Sequence, residues 1–228
     1  MLKEKVEKIV RRIFIHKNEE IPAFLLHELF HQGTYLPFTT SSLKMKFLAC
    51  MCNDVVVNSR RQVLEFGSGI STIILARLFR MNGLEGHITT VDESAEWQAI
   101  IEGILTQEGL QSYVTFVALP TQKSADISQS YEFDPVALKA QLGNALFDLV
   151  LIDGPSAWQP ENVMSRSSNI KHLSGILGER FALFVDNTDR PGEQVLVQKI
   201  QDTFQLKPKR LDATFTTFVK GSHFNYVI

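Results

Sequence analysis

The sequence contains little cysteine, carries almost no net charge and lacks any long apolar run. Its two cysteines, Cys50 and Cys52, are one residue apart. On a helix their side chains point in different directions and cannot bridge easily, so we expect reduced thiols and a cytoplasmic protein. The net charge of −2 gives no sign of a nucleic-acid partner. The charged segment from Lys3 to Lys8 predicts neither a signal peptide nor a membrane span.

Repeats and low-complexity tracts are also absent from the sequence. The 228 residues, 44% of them hydrophobic, are enough for one α/β domain with a sizeable core. Apolar residues spaced by three and four predict a helix over 2–16, and further helices are predicted over 23–31 and about 43–53. We expect residues 1–36 to form a helical cap and residues 37–228 to form the main domain.

Beyond residue 63, predicted strands alternate with predicted helices, which indicates a parallel sheet with helices on both faces. The predicted strands cover 63–66, 87–92, 113–118, 147–152 and 181–186, and the predicted helices cover 71–81, 95–108, 136–143, 161–177 and 192–203. Residues 213–219 and 223–228 are strand-like, and the short link between them permits only an antiparallel hairpin. The expected fold is therefore α/β, with seven strands that are mostly parallel and a C-terminal antiparallel hairpin. The long polar stretch 120–135 predicts a loop near the strand ends, typical of a functional lid.

The most informative segment is a glycine turn between the first predicted strand and the helix after it. Gly67 and Gly69 stand where the backbone must turn sharply and where any Cβ would obstruct a bound ligand. Asp92 lies 25 residues after Gly67, at the end of the second predicted strand. An acid at that point can accept hydrogen bonds from ribose hydroxyls, so the pattern predicts a site for a ribose-bearing ligand.

Four acids end parallel strands in this prediction: Glu65, Asp92, Asp153 and Asp186. Open α/β sheets bind their ligands at the carboxyl ends of the strands. We therefore expect a concave, electronegative site. Such a site suits a cationic ligand, ribose hydroxyls or a divalent metal better than it suits the pyrophosphate of a dinucleotide.

Three segments resemble the motifs of class I S-adenosylmethionine-dependent methyltransferases. Leu64–Gly69 looks like their first motif, the strand end at Asp92 like their second, and Phe147–Pro155 like their fourth-strand motif. The resemblance covers roughly residues 40–228 and implies a seven-stranded, Rossmann-like methyltransferase fold with S-adenosylmethionine as cofactor. The cofactor-binding residues that it implies are Glu65, Gly67, Ser68, Gly69, Ser71, Asp92, Glu93, Ala118 and Asp153.

The resemblance also implies individual roles for these residues. Gly67 and Gly69 would approach the methionine part of the cofactor, and Asp92 would hold its ribose. Glu65 would orient the turn or meet the methionine amine, while Ala118 would flank the adenine.

A narrower resemblance, to catechol-type O-methyltransferases, implies a metal site. In that group an Asp after the fourth strand and an Asp-Asn pair after the fifth bind a divalent ion such as magnesium; here Asp153, Asp186 and Asn187 stand at those positions. Their oxygen ligands suit magnesium. The metal would lower the pKa of a substrate hydroxyl and align its oxygen with the methyl group. The departure is Gly154-Pro155 after Asp153, which is closer to a less defined group that includes enzymes acting on sugars.

The expected activity is therefore methyl transfer to the hydroxyl of a small molecule, with Asp153 and Asp186 as the catalytic residues, at which a base or a metal assists. Trp97 could cover the adenine or belong to the core, and Tyr131 and Trp158 could line a substrate pocket or pack at the surface. Arg190 could bind an anionic group of the substrate or form a surface ion pair. The N-terminal helices would cap the substrate side or mediate a homodimer. We expect no nucleic-acid or membrane partner.

Several alternatives remain open from the sequence. A non-catalytic cofactor-binding protein would keep the same turn. An NAD-dependent oxidoreductase would usually have a third glycine where Thr72 stands. His27-Glu28-Leu29-Phe30-His31 matches the H-E-x-x-H pattern of zinc hydrolases, although no third ligand is evident and Gly33 ends the helix at once. The acids at strand ends could also simply cap the helices that follow.

Overall fold

A single mixed sheet organises the part of the chain that the structure describes, which is residues 21–31 and 33–228 of a computed structural model. The predicted helix over 2–16 lies outside the described residues. The strands are β1 (Gln62–Phe66), β2 (His87–Asp92), β3 (Val114–Ala118), β4 (Thr121–Lys123), β5 (Tyr131–Phe133), β6 (Phe147–Ile152), β7 (Leu177–Asp186), β8 (Lys209–Arg210) and β9 (Phe215–Lys220). The helices are α1 (21–31), α2 (Met45–Val57), α3 (Ile70–Met81), α4 (Ala95–Gln107), α5 (Pro135–Leu142), α6 (Ile170–Leu173) and α7 (Pro191–Phe204).

The sheet has the strand order β3-β2-β1-β6-β7-β9-β8. The five strands from β3 to β7 along this order run parallel, because helical crossovers return the chain to the same end of the sheet each time. β9 then runs antiparallel to β7, and β8 pairs antiparallel with β9. The predicted fold class, seven strands that are mostly parallel with a closing hairpin, is confirmed.

The predicted members of that hairpin were wrong. β8 and β9 form it, whereas residues 223–228 are not a strand. Gly221 turns the chain away at a φ of 85°, and the last residues pack against α2 instead. The Asn58 side-chain amide donates a hydrogen bond to the Phe224 carbonyl over 3.0 Å. The buried Tyr226 hydroxyl lies 2.6 Å from the Thr217 hydroxyl. These contacts pair the Phe224 carbonyl and the Tyr226 hydroxyl without a strand partner.

The predicted helix over 161–177 was also wrong. Only Ile170–Leu173 is α-helical, and Ser165–Asn169 forms a 3₁₀ helix before it. The Ser167 and Ser168 hydroxyls donate to backbone carbonyls three residues back, over 2.7 and 2.6 Å, which competes with regular helix geometry. The polar stretch 120–135 is likewise not an open loop, since β4 and β5 pair within it as a two-stranded ribbon.

The core occupies both faces of the sheet. One face is covered by α2, α3 and α4 through residues such as Leu48, Ile74 and Ile101, all buried. The other is covered by α5 and α7 through residues such as Leu138 and Leu196, also buried. The central strands are therefore apolar on both faces, as parallel strands of this class are.

A buried ion pair ties the segment before α2 to this core. Arg77 of α3 and Glu108 beyond α4 pair with side chains 1% and 4% exposed. Arg77 also donates to the Leu29 and Thr34 carbonyls over 2.6 and 3.1 Å, and the Thr34 amide and hydroxyl donate to Glu108. The pair thereby fixes the chain just before residues 37–44, which form one wall of the site.

Candidate active site

An open cleft of about 700 Å³ lies at the carboxyl ends of the central parallel strands. We divide it into three parts. The turn half consists of Gly67–Ser71, Asp92–Ser94 and Trp97; the acid half consists of Asp153, Gly154, Arg166, Asp186, Asn187 and Arg190; and the rim consists of Pro37, Thr39–Lys44, Ser156 and Trp158. The volume falls within the usual range for small-molecule sites.

The glycine turn depends on its two glycines in different ways. Gly67 has a φ of 100°, which L side chains rarely adopt. A Cβ there would also lie 3.0 Å from the Gly154 amide nitrogen and 3.1 Å from the Asp153 carbonyl carbon. Gly69, in contrast, has an extended φ of 179°, and a Cβ built there meets nothing within 4 Å. Gly69 therefore faces open cleft, and its lack of a side chain matters only to a ligand.

Ser68 holds the turn in place with every polar group it has. Its amide donates to Asp92 over 2.8 Å, and its carbonyl accepts from the Trp97 indole over 2.7 Å. Its hydroxyl lies 2.9 Å from the Thr90 hydroxyl and accepts from Gln98 over 2.9 Å. Ser68 and Trp97, both singled out from the sequence, thus shape the turn half as well as line it.

Asp92 and Glu93 connect the turn half to its neighbours. Both Asp92 carboxylate oxygens accept backbone amides, from Ser68 and Ser94, each over 2.8 Å. Burial raises the pKa of Asp92, while these two amides lower it. Glu93 accepts the Ser156 amide over 2.9 Å across the cleft. Each carboxylate oxygen retains accepting capacity beyond these bonds, and Asp92 lines the cleft.

Glu65 lies beneath the turn and does not line the cleft. Its side chain is fully buried, one oxygen accepts the Thr72 hydroxyl over 2.7 Å, and the other has no hydrogen-bond partner among the described residues. Thr72 in turn accepts the Gly69 amide over 3.0 Å. Thr72 therefore joins Glu65 to the turn at the position where a third glycine would stand in an NAD site. Burial raises the pKa of Glu65 to about 7, although the Thr72 hydroxyl opposes the shift.

Two carboxyl groups form the centre of the acid half. Asp153 directly follows β6 and Asp186 is the last residue of β7, so adjacent parallel strands bring them to the same edge of the sheet. Burial raises the pKa of Asp153 to about 7, with Arg166 opposing and Asp186 adding to the shift. Burial also raises the pKa of Asp186. Among the described residues, no side chain donates a hydrogen bond to the Asp186 carboxylate, which lines the cleft.

Arg166 was not predicted, although it contacts four residues in and around the acid half. Its guanidinium pairs with Asp153 over 3.0 Å, donates to the Asn187 side-chain oxygen over 2.8 Å and lies 3.4 Å from the Glu193 carboxylate. Its Nε donates to the Pro155 carbonyl over 3.2 Å. The 3₁₀ helix that replaces the predicted regular helix aims Arg166 into this position.

The predicted metal site can be tested against this geometry. Asp153, Asp186 and Asn187 do come together, but the oxygens of Asp153 and Asn187 are held by the Arg166 guanidinium. A divalent ion among these oxygens would lie close to the Arg166 guanidinium and be repelled by it. The residues as arranged therefore do not fit a resident divalent ion.

The H-E-x-x-H segment on α1 does not build a second centre. The His27 and His31 rings contact each other at a tilt of 43°, with centroids 4.0 Å apart, and the His27 Nδ1 lies 3.5 Å from the exposed Glu28 carboxylate. No third ligand completes the set within the described part of the chain.

The remaining predicted residues divide between cleft and surroundings. Ser71, Trp158 and Arg190 line the cleft. Ala118 and Tyr131 do not line the cleft. Ala118 lies opposite Asp92 in the pairing of β3 with β2, and Tyr131 lies in β5. The sequence patterns did not predict that Thr39–Ser42 and Lys44 line the cleft. The signal available for this part of the rim was a run of four hydroxyl residues shortly before a predicted helix.

The comparisons with known proteins agree with this geometry. Residues 64–173 match a family model described as a methyltransferase domain, a range that includes the glycine turn, Asp92, Asp153 and Arg166. Residues 64–173 therefore form a methyltransferase domain. Among curated proteins, none matches the sequence. No helix in the described residues of this methyltransferase is long and apolar enough to cross a membrane.

Solved structures share the fold of this methyltransferase at low sequence identity. The O-methyltransferase TomG from Streptomyces achromogenes, solved with S-adenosylmethionine and involved in tomaymycin synthesis, is 14% identical with a TM-score of 0.58, over 90% of this chain and 98% of that one. An O-methyltransferase from Bacillus cereus, solved with S-adenosylhomocysteine, is 17% identical with a TM-score of 0.51, over 90% and 91%. The methyltransferase PaMTH1 from Podospora anserina, also bound to S-adenosylhomocysteine, is 12% identical with a TM-score of 0.53, over 90% and 97%.

Proposed function

We propose that this methyltransferase transfers the methyl group of S-adenosylmethionine to the hydroxyl oxygen of a small-molecule acceptor, with the cofactor in the turn half and the acceptor in the acid half. The observation that carries the proposal is that one cleft contains both an open glycine turn and, beside it, a carboxylate that no side chain among the described residues occupies. The names of the TomG and Bacillus cereus neighbours, both O-methyltransferases, support the choice of oxygen as acceptor.

The turn half supports cofactor binding through space and hydrogen-bond capacity. Gly69 leaves room for a ligand against the backbone, and Asp92 ends β2 where a carboxylate can accept ribose hydroxyls. Trp97 lines the same half and is fixed by its bond to Ser68. We assign Gly67, Gly69 and Asp92 to the cofactor directly. We assign Glu65 to support of the turn from below.

The acid half supports proton removal from the acceptor. The cofactor supplies an electrophilic methyl group on sulfur; the protein must hold the acceptor oxygen in line with it and take up the hydroxyl proton. Asp186 faces the cleft with an available carboxylate, and Asp153 is held aside by Arg166. We therefore assign proton acceptance to Asp186 and orientation of the acid half to Asp153.

The rim suggests the character of the acceptor. Thr39, Thr40 and Ser41 are exposed at the cleft, and Trp158 is 71% exposed beside them. Hydroxyl groups next to an exposed aromatic face suit a polyhydroxylated or phenolic acceptor. Arg190 and Lys44 add positive charge to the same side, which favours an acceptor that carries an acidic group.

Calorimetry with S-adenosylmethionine and S-adenosylhomocysteine tests the cofactor assignment, and the absence of binding by either would contradict it. A panel of phenolic and sugar hydroxyls with radiolabelled methyl donor tests the activity. Asp186→Ala should keep cofactor affinity within about threefold and lose turnover by about a hundredfold or more. Asp189→Ala, an exposed acid on the same loop, is the matched control and should retain turnover. Equal activity of both variants would remove Asp186 from the mechanism.

We further propose that residues 1–36 form a helical cap on the acceptor side or a homodimer contact. On α1, Ile21, Phe24 and Leu25 are 57%, 79% and 52% exposed, which supports a covering partner for that face. Light scattering on the full chain and on Phe24→Glu tests the dimer, since a contact through this face should weaken in the variant. Two buried free thiols, Cys50 and Cys52, support a cytoplasmic location, which cell fractionation tests.

A further inference from the structure

The acid half gathers oxygen atoms from the ends of two adjacent strands. Asp153 directly follows β6 and Asp186 ends β7. Asn187 comes next at a φ of 56°, and its side-chain oxygen accepts from Arg166. Two carboxylates and one amide oxygen at adjacent strand ends form a donor set that a hard divalent cation would use. In this protein a positive charge already stands among them.

That charge is the guanidinium of Arg166, which is 6% exposed. It contacts Asp153, Asn187 and the Pro155 carbonyl, so its donors are used by groups from both strand ends and from the turn after β6. We propose that Arg166 takes the place that a divalent cation would occupy, and that methyl transfer in this cleft proceeds without a metal ion. The proposal rests on the proposed function for the identity of the cleft.

Glu193 of α7 makes this arrangement hard to displace. Its carboxylate is fully buried, and neither oxygen has a hydrogen-bond partner among the described residues. Arg166 is its nearest cation at 3.4 Å, and Arg190 follows at 4.0 Å. A metal ion that expelled Arg166 would leave Glu193 buried without its closest counter-charge, which is strongly unfavourable.

The 3₁₀ helix that carries Arg166 is itself locked to the end of β6. Asn169 donates to the Gly154 carbonyl over 2.7 Å and is fully buried. Together with the bond from Arg166 to Pro155, this fixes both carbonyls of the turn after Asp153. The backbone around Arg166 therefore holds the guanidinium in a fixed place. Its role is to position Asp153 and Asn187 while the Asp186 carboxylate remains open to the acceptor.

Binding of Mn²⁺ to the full chain tests the proposal, with free ion followed by electron paramagnetic resonance after chelator treatment. The wild type should show no saturable binding up to millimolar Mn²⁺. Arg166→Ala frees the oxygens of Asp153 and Asn187 and should bind Mn²⁺ at least about tenfold more tightly than the wild type. Arg166→Lys keeps a positive charge at this position and, like the wild type, should show no saturable Mn²⁺ binding. Arg190→Ala, which removes the other arginine of the acid half, is the matched control and should bind Mn²⁺ no more tightly than the wild type.

Saturable Mn²⁺ binding by the wild type that Asp153→Asn weakens would overturn the proposal, and so would an Arg166→Ala variant that folds and binds no better than the wild type. If Arg166→Ala does not fold, the wild-type protein alone tests the proposal. Mn²⁺ binding that Asp153→Asn removes would overturn the proposal, and the absence of Mn²⁺ binding would support it. Calorimetry with S-adenosylhomocysteine in the presence of chelator separates this result from the proposed function. Cofactor binding that survives the chelator leaves the function in place whatever the Mn²⁺ result.

Discussion

Gly67 and Gly154 pack backbone against backbone where β1 and β6 end. A Cβ on Gly154 would lie 2.8 Å from the Gly67 nitrogen, and a Cβ on Gly67 would lie 3.0 Å from the Gly154 nitrogen. The Asp153 amide donates to the Phe66 carbonyl over 2.9 Å at the same place. This contact brings the turn half and the acid half side by side, as the proposed placement of cofactor and acceptor requires.

Gly67→Ala should lower the free energy of unfolding by about 1–3 kcal/mol, because alanine must adopt a φ of 100° and press on the backbone after β6. Gly69→Ala is the matched control. Its φ is extended and its Cβ meets nothing, so stability should change by less than about 0.5 kcal/mol. Urea unfolding of both variants checks this, and equal losses would show that the close approach of the two strand ends is unimportant.

Gly69→Ala should nevertheless weaken cofactor binding. The new methyl group projects into the turn half of the cleft, so we expect the Kd for S-adenosylhomocysteine to rise by about tenfold or more. Calorimetry on the folded variant measures this. Unchanged affinity would mean that the cofactor does not approach the backbone at Gly69.

Glu65→Gln should change how stability depends on pH. The folded pKa of Glu65, about 7, lies above its ordinary value of 4.5, so ionisation destabilises the folded state as pH rises through this range. The wild type and the variant should therefore differ least at pH values near 4.5. Near pH 8 the removal of this buried charge should favour the variant by about 1–3 kcal/mol.

Urea unfolding at acidic and alkaline pH provides the measurement for this change. Glu28→Gln serves as its control, since the Glu28 side chain is 70% exposed and the same substitution there removes no buried carboxyl group. A Glu65→Gln variant whose stability follows the wild type at every pH would contradict a charged Glu65 beneath the turn.

Asp92→Asn should weaken both the fold and cofactor binding. One carboxylate oxygen becomes an NH₂ group facing a backbone amide of Ser68 or Ser94, so a buried donor loses its acceptor. We expect a loss of about 1–3 kcal/mol in stability and a clear rise in the Kd for S-adenosylmethionine. Glu93→Gln, whose single bond to Ser156 can be kept by the amide oxygen, should cost less than about 1 kcal/mol in the same thermal and calorimetric measurements.

Breaking the Arg77–Glu108 pair should be costly. Arg77→Met leaves Glu108 nearly buried without its cation, so we expect a loss of about 3–5 kcal/mol in unfolding free energy. Arg80→Met removes an exposed arginine of the same helix that donates to the Glu108 carbonyl, and it should cost less than about 1 kcal/mol. If the two variants unfold at the same urea concentration, the buried pair does not anchor the segment before α2.

Local pattern was sufficient to predict the parallel strands. The apolar run at 149–152 and the acid after it identified both β6 and the position of Asp153, because a strand buried on both faces has a continuous apolar sequence. The same reasoning failed at 161–177, where Ser167 and Ser168 use their hydroxyls on nearby carbonyls. It failed again at 223–228, whose packing depends on contacts with Asn58, far away in the sequence.

Topology explains which part of the site was predictable. Parallel strands place Asp92, Asp153 and Asp186 at one edge whatever the details of packing. The position of Arg166 depends on how a non-regular segment folds over two strand ends, and no spacing in the sequence encodes that. The partner of a buried acid is therefore harder to predict than the acid.

Ser68 has no polar group left to rearrange when a ligand arrives. Its amide, carbonyl and hydroxyl are engaged by four different residues: Asp92, Trp97, Thr90 and Gln98. Binding in that half of the cleft should cost little ordering entropy, since the receptor surface is preorganised. The rim residues Thr39–Ser42 belong to a separate segment. Under the proposed function, substitutions there should alter the choice of acceptor and leave the affinity for the methyl donor unchanged.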